Sequence, residues 1–227
     1  VERRRAKGKL KNLVALIEEE PLSGLIGIGH TRWATHGVPS KNNAHPHQKG
    51  SVVGVHNGII ENFRELKTEL ENKGYKFTSE TDSEVVVQLC ASYLESGSSD
   101  KEAFEKTLSR LKGAFALCFM FEENEEKLFV SRRGAPLVIG YGKVSMLVGS
   151  DAASLSHLIN EVTFLEEDDW GMVNSSDVEI FDKLGKKVLR ERKRVEKDFS
   201  SIGKGNYQHF MLKEINEQPE VLSYASS

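Results

Sequence analysis

Residues 114–121 are eight apolar side chains in a row, from Ala114 to Phe121, and no other stretch restricts the fold of this chain as much. A membrane-spanning helix needs about 20 such residues, so the run is too short for that. A strand with one wet face alternates polar and apolar side chains, and this one does not. It reads as a β-strand buried on both faces, which demands a packed layer on each side. Shorter strand-like runs lie at 25–29, 51–56, 127–131, 136–139, 145–148, 170–173 and 178–181, with Gly, Asp and Asn between them.

Other segments carry the helical period. At 61–73, Asn62 and Glu65 have capping-box spacing, Phe63, Leu66 and Leu70 share a face, and Gly74 ends the pattern. At 81–95, Thr81 and Glu84 cap a helix whose inner stripe is Val86, Leu89, Cys90 and Tyr93. A third helix at 100–112 carries Phe104, Leu108 and Leu111, and a last amphipathic one begins near Tyr207 and is interrupted by Pro219. Residues 183–205 are basic and polar and read as a surface excursion or linker. Helices and two sheets' worth of strands, without regular βαβ alternation, predict α+β layers.

The chain has 227 residues, a net charge of −3 and a pI of about 6.2, so it shows no basic footprint for nucleic acid. Two cysteines, Cys90 and Cys118, are too few for a disulfide framework and lack metal-ligand spacing, which fits a reducing cytoplasm. The chain opens on Val1 rather than Met, and its basic start leads into no apolar signal region, so a fragment at both ends is expected.

The densest polar chemistry lies between His30 and Asn62, where five of the seven histidines fall: His30, His36, His45, His47 and His56. As metal ligands they lack cysteines or a carboxylate triad to complete a set, so they read better as hydrogen-bonding histidines in a polar cleft. The glycines of Gly24-Leu-Ile-Gly-Ile-Gly29 lie inside an apolar run and do not follow the order of a phosphate-binding loop; close strand packing explains them. His30-Thr-Arg-Trp-Ala-Thr-His-Gly37 follows that run, at a strand end or loop. There Arg32 offers a planar fork for a carboxylate, Trp33 an apolar wall, and Thr35 and His36 donors and acceptors. An anion-plus-apolar pocket and an ordinary surface loop both fit.

Val55-His-Asn-Gly58 is either a hairpin turn or an oxyanion hole, in which the Asn57 amide and the Gly58 N–H converge on one developing negative charge. Ile59-Ile-Glu-Asn62 leads on into a helix, which weakens the hairpin. Thr81-Asp-Ser-Glu84 opens a helix, so Asp82 either supports its N-terminus or receives an ammonium group. Cys90 and Cys118 sit among apolar neighbours, where burial raises a thiol pKa and blocks access.

Together His30-Thr-Arg-Trp-Ala-Thr-His-Gly37, Asn43-Ala-His-Pro-His47, His56-Asn-Gly-Ile-Ile-Glu-Asn62 and Ser79-Glu-Thr-Asp82 resemble the glutaminase domain of the glutamine–fructose-6-phosphate aminotransferase (isomerizing) family of class II glutamine amidotransferases. Segments 112–116, 136–140, 150–152, 164–167 and 209–219 extend the resemblance over nearly the whole chain. The resemblance implies a four-layer αββα sandwich of the N-terminal-nucleophile hydrolase type. Residues 1–205 would be the glutaminase domain and 206–227 the start of a linker toward an isomerase domain. It implies hydrolysis of L-glutamine to glutamate and ammonia, with the ammonia passed to fructose 6-phosphate to make glucosamine 6-phosphate. It implies a cytoplasmic homo-oligomer with no cofactor or metal, no nucleic acid and no membrane. In the family a mature N-terminal Cys is the nucleophile, and its α-amino group, of pKa about 7.7–8.0, is the base. By the resemblance, Asn57 and Gly58 form the oxyanion hole, Arg32 binds the substrate carboxylate and Asp82 its ammonium group. Thr35, His36 and Gly58 line the pocket, and Trp33 gates the passage of ammonia.

One departure is large: the family's Cys-Gly-Ile-Val-Gly opening, with the first strand and helix, is not in this chain, and neither Cys90 nor Cys118 is N-terminal. A small one is Ser83 where relatives commonly carry Thr, which keeps the hydroxyl. The expectation is an N-terminally incomplete glutaminase domain. The alternatives are a catalytically silent glutamine-binding module and a metal-dependent hydrolase built on the histidines.

Overall fold

The computed structural model describes residues 1–122, 124–195 and 207–225. In chain order these form helix α1 (Leu10–Glu19), strands β1 (His47–Lys49) and β2 (Val52–Ile60), and helices α2 (Phe63–Asn72), α3 (Asp82–Glu95) and α4 (Asp100–Arg110). Strands β3 (Gly113–Phe121), β4 (Asn124–Arg133), β5 (Val138–Tyr141) and β6 (Met146–Gly149) follow, then a single helical turn, α5 (Ala152–Leu155). The chain closes with strands β7 (Glu161–Phe164), β8 (Trp170–Val173), β9 (Val178–Phe181), β10 (Lys187–Val188) and β11 (Lys193–Arg194) and helix α6 (Phe210–Ala225).

The strands make two antiparallel sheets, ordered β1-β2-β3-β4-β8-β9-β10 and β11-β7-β5-β6. The apolar run is β3, in the interior of the larger sheet. Its alternate residues separate cleanly: Phe115, Leu117, Phe119 and Phe121 join a core with Leu66, Leu89 and Phe104 of the helices, whereas Ala116 and Cys118 face Leu137 and Ile139 beside and within the second sheet. Phe104 of α4 meets the rings of Phe119 and Phe129 with centroids 5.5 and 5.7 Å apart, and each side chain so buried contributes about 1.5–3 kcal/mol. On the outer face of the second sheet, Val138 and Val162 are covered by Leu155 and Ile159. The layers therefore run helices, sheet, sheet and a thin helical cover.

Several local expectations change in the folded chain. Residues 25–29 belong to no strand, and Leu25 is fully exposed. Glycine fills three of the six positions of 24–29, and of its apolar side chains only Ile28 packs against the inter-sheet core. Asn57 and Gly58 are not beyond a strand end: β2 continues through them, pairing Asn57 with Ala116 and Gly58 with Phe115. Asn62 makes no capping bond to α2. Its amide instead donates to the Arg110 carbonyl at 2.9 Å and accepts from the Lys112 N–H at 3.0 Å, joining the start of α2 to the end of α4. Helix α3 is buried from Asp82 to Ser92, not along one stripe, because α2, α4, β1 and β2 surround it. The segment read as a surface excursion contributes β10 and β11. The 205/206 boundary lies outside the described residues, and α6 runs through Pro219 rather than stopping there.

Capping at Thr81 is as expected, with its side chain accepting from the Glu84 N–H, and Ser99 with Glu102 forms a capping box on α4. Before β1 the chain contributes α1 and no strand. Its basic opening is not a solvated tail: Arg5 donates to the carbonyls of Asn42 and Ala44 at 3.2 and 2.9 Å, and Arg3 to that of Pro46 at 3.3 Å. Among the described residues no helix is long and apolar enough to cross a membrane.

Candidate functional site

A cleft of about 360 Å³ opens where the end of β2, the start of α3 and the loop at 30–45 meet. All of the anticipated site residues line it: Arg32, Trp33, Thr35, His36, Asn57, Gly58 and Asp82. His30, His45, His56, Ile59, Thr81 and Ser83 complete the wall. None of those six was named as a substrate-binding or catalytic residue in the sequence, although the density of histidines between 30 and 56 marked the region.

Strand alternation aims the β2 side chains. His56 turns toward α3, its Nδ1 2.9 Å from the Ser83 hydroxyl. Asn57 turns the opposite way, its Oδ1 2.7 Å from His30 Nε2. Gly58 has φ +114°, and a Cβ there would stand 2.1 Å from the Ala114 carbonyl oxygen, so only glycine fits this stretch of the wall. Asp82 is the first residue of α3 and is buried. Its Oδ2 accepts from the Ile60 N–H at 2.9 Å, which fixes the end of β2 to the start of α3, and its Oδ1 lies 3.9 Å from His36 Nδ1.

Arg32 adopts the left-handed conformation, with φ +49°, which costs a non-glycine residue about 1–2 kcal/mol. Its guanidinium donates to the carbonyls of His36, Gly37 and Val38 at 2.5, 2.9 and 3.2 Å, stapling its own loop. Trp33 stands 88% exposed at the rim. The loop is anchored by Asn43, whose amide donates to the Val38 carbonyl and the Glu80 carboxylate and accepts from the Glu80 N–H. Behind it the Glu84 carboxylate accepts the N–H and hydroxyl groups of both Thr78 and Ser79. Burial alone would raise its pKa, but these bonds hold it below the usual carboxylate range.

Residues 30–157, more than half of the chain, match the family model of the glutamine amidotransferase domain. The chain belongs to this family. It is 53% identical, over 98% of its length, to the glutamine–fructose-6-phosphate aminotransferase (isomerizing) of Mesorhizobium japonicum, and 51% identical over its whole length to that of Agrobacterium fabrum. It spans 37% of the length of each of these curated relatives. Among solved structures, it superposes on the glutamine phosphoribosylpyrophosphate amidotransferase of B. subtilis with a TM-score of 0.50 and 27% identity, over 74% of this chain and 34% of that one. The fold of this amidotransferase domain is the expected α+β sandwich of the N-terminal-nucleophile hydrolase type.

Four histidines of the amidotransferase domain, His30, His45, His47 and His56, are held toward the neutral form by burial. The His45 ring lies between those of His30 and His47, with centroids 4.2 and 4.9 Å away. Burial, aided by the neighbouring His30, pushes its pKa down to about 2. Burial likewise takes His47 and His56 down to about 4. His47 Nε2 is 3.0 Å from the Thr81 hydroxyl. Among the described residues no group of three His, Cys, Asp or Glu side chains is arranged to hold a metal ion. The unfolded histidines titrate near 6.5, so between that pH and about 4 the unfolded chain binds more protons than the fold. Stability is full above pH 6.5 and falls as the pH drops, by up to about 1.4 kcal/mol per pH unit for each of these residues. Thermal melts from pH 7 to 4.5 should show this decline, and a flat midpoint across that window would contradict the burial argument. Cys90 and Cys118 are both buried and unpaired, and burial pushes both thiols up to about 12. Neither is fit to be a nucleophile.

Proposed function

We propose that this domain is the glutaminase part of a glutamine–fructose-6-phosphate aminotransferase. It hydrolyses L-glutamine to glutamate and ammonia, and an isomerase domain uses the ammonia to convert fructose 6-phosphate into glucosamine 6-phosphate. One observation carries the reading: Asn57, Gly58 and the buried Asp82 line one cleft of amino-acid size. An amide substrate needs donors where its carbonyl oxygen becomes negative, and an α-ammonium group needs a carboxylate. Arg32 binds the α-carboxylate, Thr35 and His36 line the pocket, and Trp33 at the rim gates the passage of ammonia.

In this mechanism a thiolate adds to the glutamine amide carbon, and the oxyanion is stabilised between Asn57 and Gly58. The C–N bond breaks as the leaving nitrogen takes up a proton, and water then cleaves the thioester to glutamate. The thiol is that of the family's N-terminal Cys, supplied by sequence outside these 227 residues. Residues 1–205 form the glutaminase domain and 206–227 lead toward the isomerase domain. The full-length protein works as a cytoplasmic homo-oligomer, a placement that suits two unpaired cysteines. The burial of both thiols also favours a second reading for the isolated chain, which would hold glutamine without hydrolysing it.

Asp82→Asn tests the site. The asparagine oxygen still accepts from Ile60, so the fold is kept while the charge is lost. In the full-length protein, KM for glutamine should rise about tenfold or more, as expected for losing a hydrogen bond to a charged group, with kcat far less changed. Failure of that protein to release glutamate from glutamine, or an unchanged KM, would sink the reading.

A further inference from the structure

An oxyanion hole needs Asn57 to present its nitrogen, not its oxygen, to the substrate. The two ends of a side-chain amide are almost the same in shape, so something else must choose between them. The Arg32 backbone N–H donates to His30 Nδ1 at 2.9 Å, a contact that closes over two residues at the left-handed turn. A ring nitrogen that accepts carries no proton, so neutral His30 carries its proton on Nε2. Burial also lowers the His30 pKa, which keeps the ring neutral. Nε2 lies 2.7 Å from the Asn57 side chain, and a donor there can only meet the amide oxygen. The opposite orientation would set N–H against N–H. The Asn57 nitrogen is therefore turned away from His30, and among the described residues it makes no hydrogen bond. The His45 ring packed 4.2 Å from that of His30 restrains its plane.

We propose that His30 is a positioning residue for the oxyanion hole: through the relay from the Arg32 N–H to His30 to Asn57 Oδ1, it holds the Asn57 amide with its nitrogen toward the cleft. This rests on the glutaminase reading of the same site. The relay acts on the transition state, because only there does the substrate oxygen carry the charge that a fixed donor serves.

The test is glutamine hydrolysis by the full-length protein. His30→Ala should lower kcat about tenfold or more and leave KM within about twofold. His30→Gln can place an N–H at the Nε2 position and should restore most of the loss, whereas the shorter His30→Asn should not. In a double-mutant cycle, His30→Ala should add nothing once Asn57 is alanine. An unchanged kcat in His30→Ala, a loss confined to KM, or losses that multiply with those of Asn57→Ala would overturn the proposal. If His30→Ala does not fold, the Gln and Asn variants decide, and equal kcat values for the two would overturn it. A loss in Asn57→Ala with none in His30→Ala removes the relay alone. Unimpaired turnover in Asn57→Ala removes the oxyanion reading and the relay with it.

Discussion

Asn57→Ala should slow glutamine hydrolysis by the full-length protein about 10²–10³-fold in kcat, because removing one oxyanion donor costs about 2.7–4 kcal/mol in the transition state. KM should change little, since the ground-state amide oxygen is a much weaker acceptor than the oxyanion. The substitution leaves the fold alone for a visible reason. The Asn57 side chain is exposed to the cleft, and its described hydrogen bond is to His30, while the backbone of β2 stays paired with β3. Residual turnover should persist, because the Gly58 N–H remains. Steady-state glutamate release checks the result, with a thermal melt to show an unchanged fold. A kcat within a few-fold of the parent would take Asn57 out of the oxyanion hole.

The second large effect lies away from the cleft. Asp169, at the entry to β8, is fully buried. Its carboxylate receives two parallel bonds from Arg190, at 2.8 and 2.9 Å, and a third from the Glu166 N–H at 2.8 Å. Arg190 lies between β10, which belongs to the larger sheet, and β11, which belongs to the smaller one. This bidentate pair therefore anchors the segment that crosses from one sheet to the other. Asp169→Ala would leave the half-buried guanidinium only the exposed Glu166 carboxylate, 3.0 Å away, and would take the acceptor from the Glu166 N–H, a loss of about 2–4 kcal/mol. In a domain of this size that lowers the melting midpoint by roughly 4–16 °C. Below the melt, kcat should be unchanged, since Asp169 lines no part of the cleft. A loss under about 1 kcal/mol in denaturant titration would show that the pair does not anchor the crossing.

How legible each part was depended on how local its cause is. Strand β3 was plain because eight apolar residues leave no wet face, and the structure buries both sides of it. The Thr81 cap of α3 was plain because a cap is settled within three residues. The run at 25–29 was misread because an apolar run becomes a strand only beside a partner, and a single segment does not reveal one. Asn62 was misread because its partners, Arg110 and Lys112, are nearly fifty residues away. Strand β7 and the single turn α5 were missed because their short segments carry little periodic signal.

The same division runs through the site. The residue types and their grouping belong to the sequence: an Asn-Gly pair, a capped acidic helix start, an Arg-Trp loop and five histidines within one short span. From these, and from the resemblance they carry, came the amidotransferase family and seven of the residues that line the cleft. What they do to one another was decided in three dimensions. Gly58 is obligatory only because the Ala114 carbonyl passes where a Cβ would be. The Arg32 guanidinium is held in place by three carbonyls of its own loop, and the proton of His30 is assigned only by the contacts on its two sides. Side-chain type is a property of one residue, whereas orientation and protonation are properties of pairs that chain folding brings together.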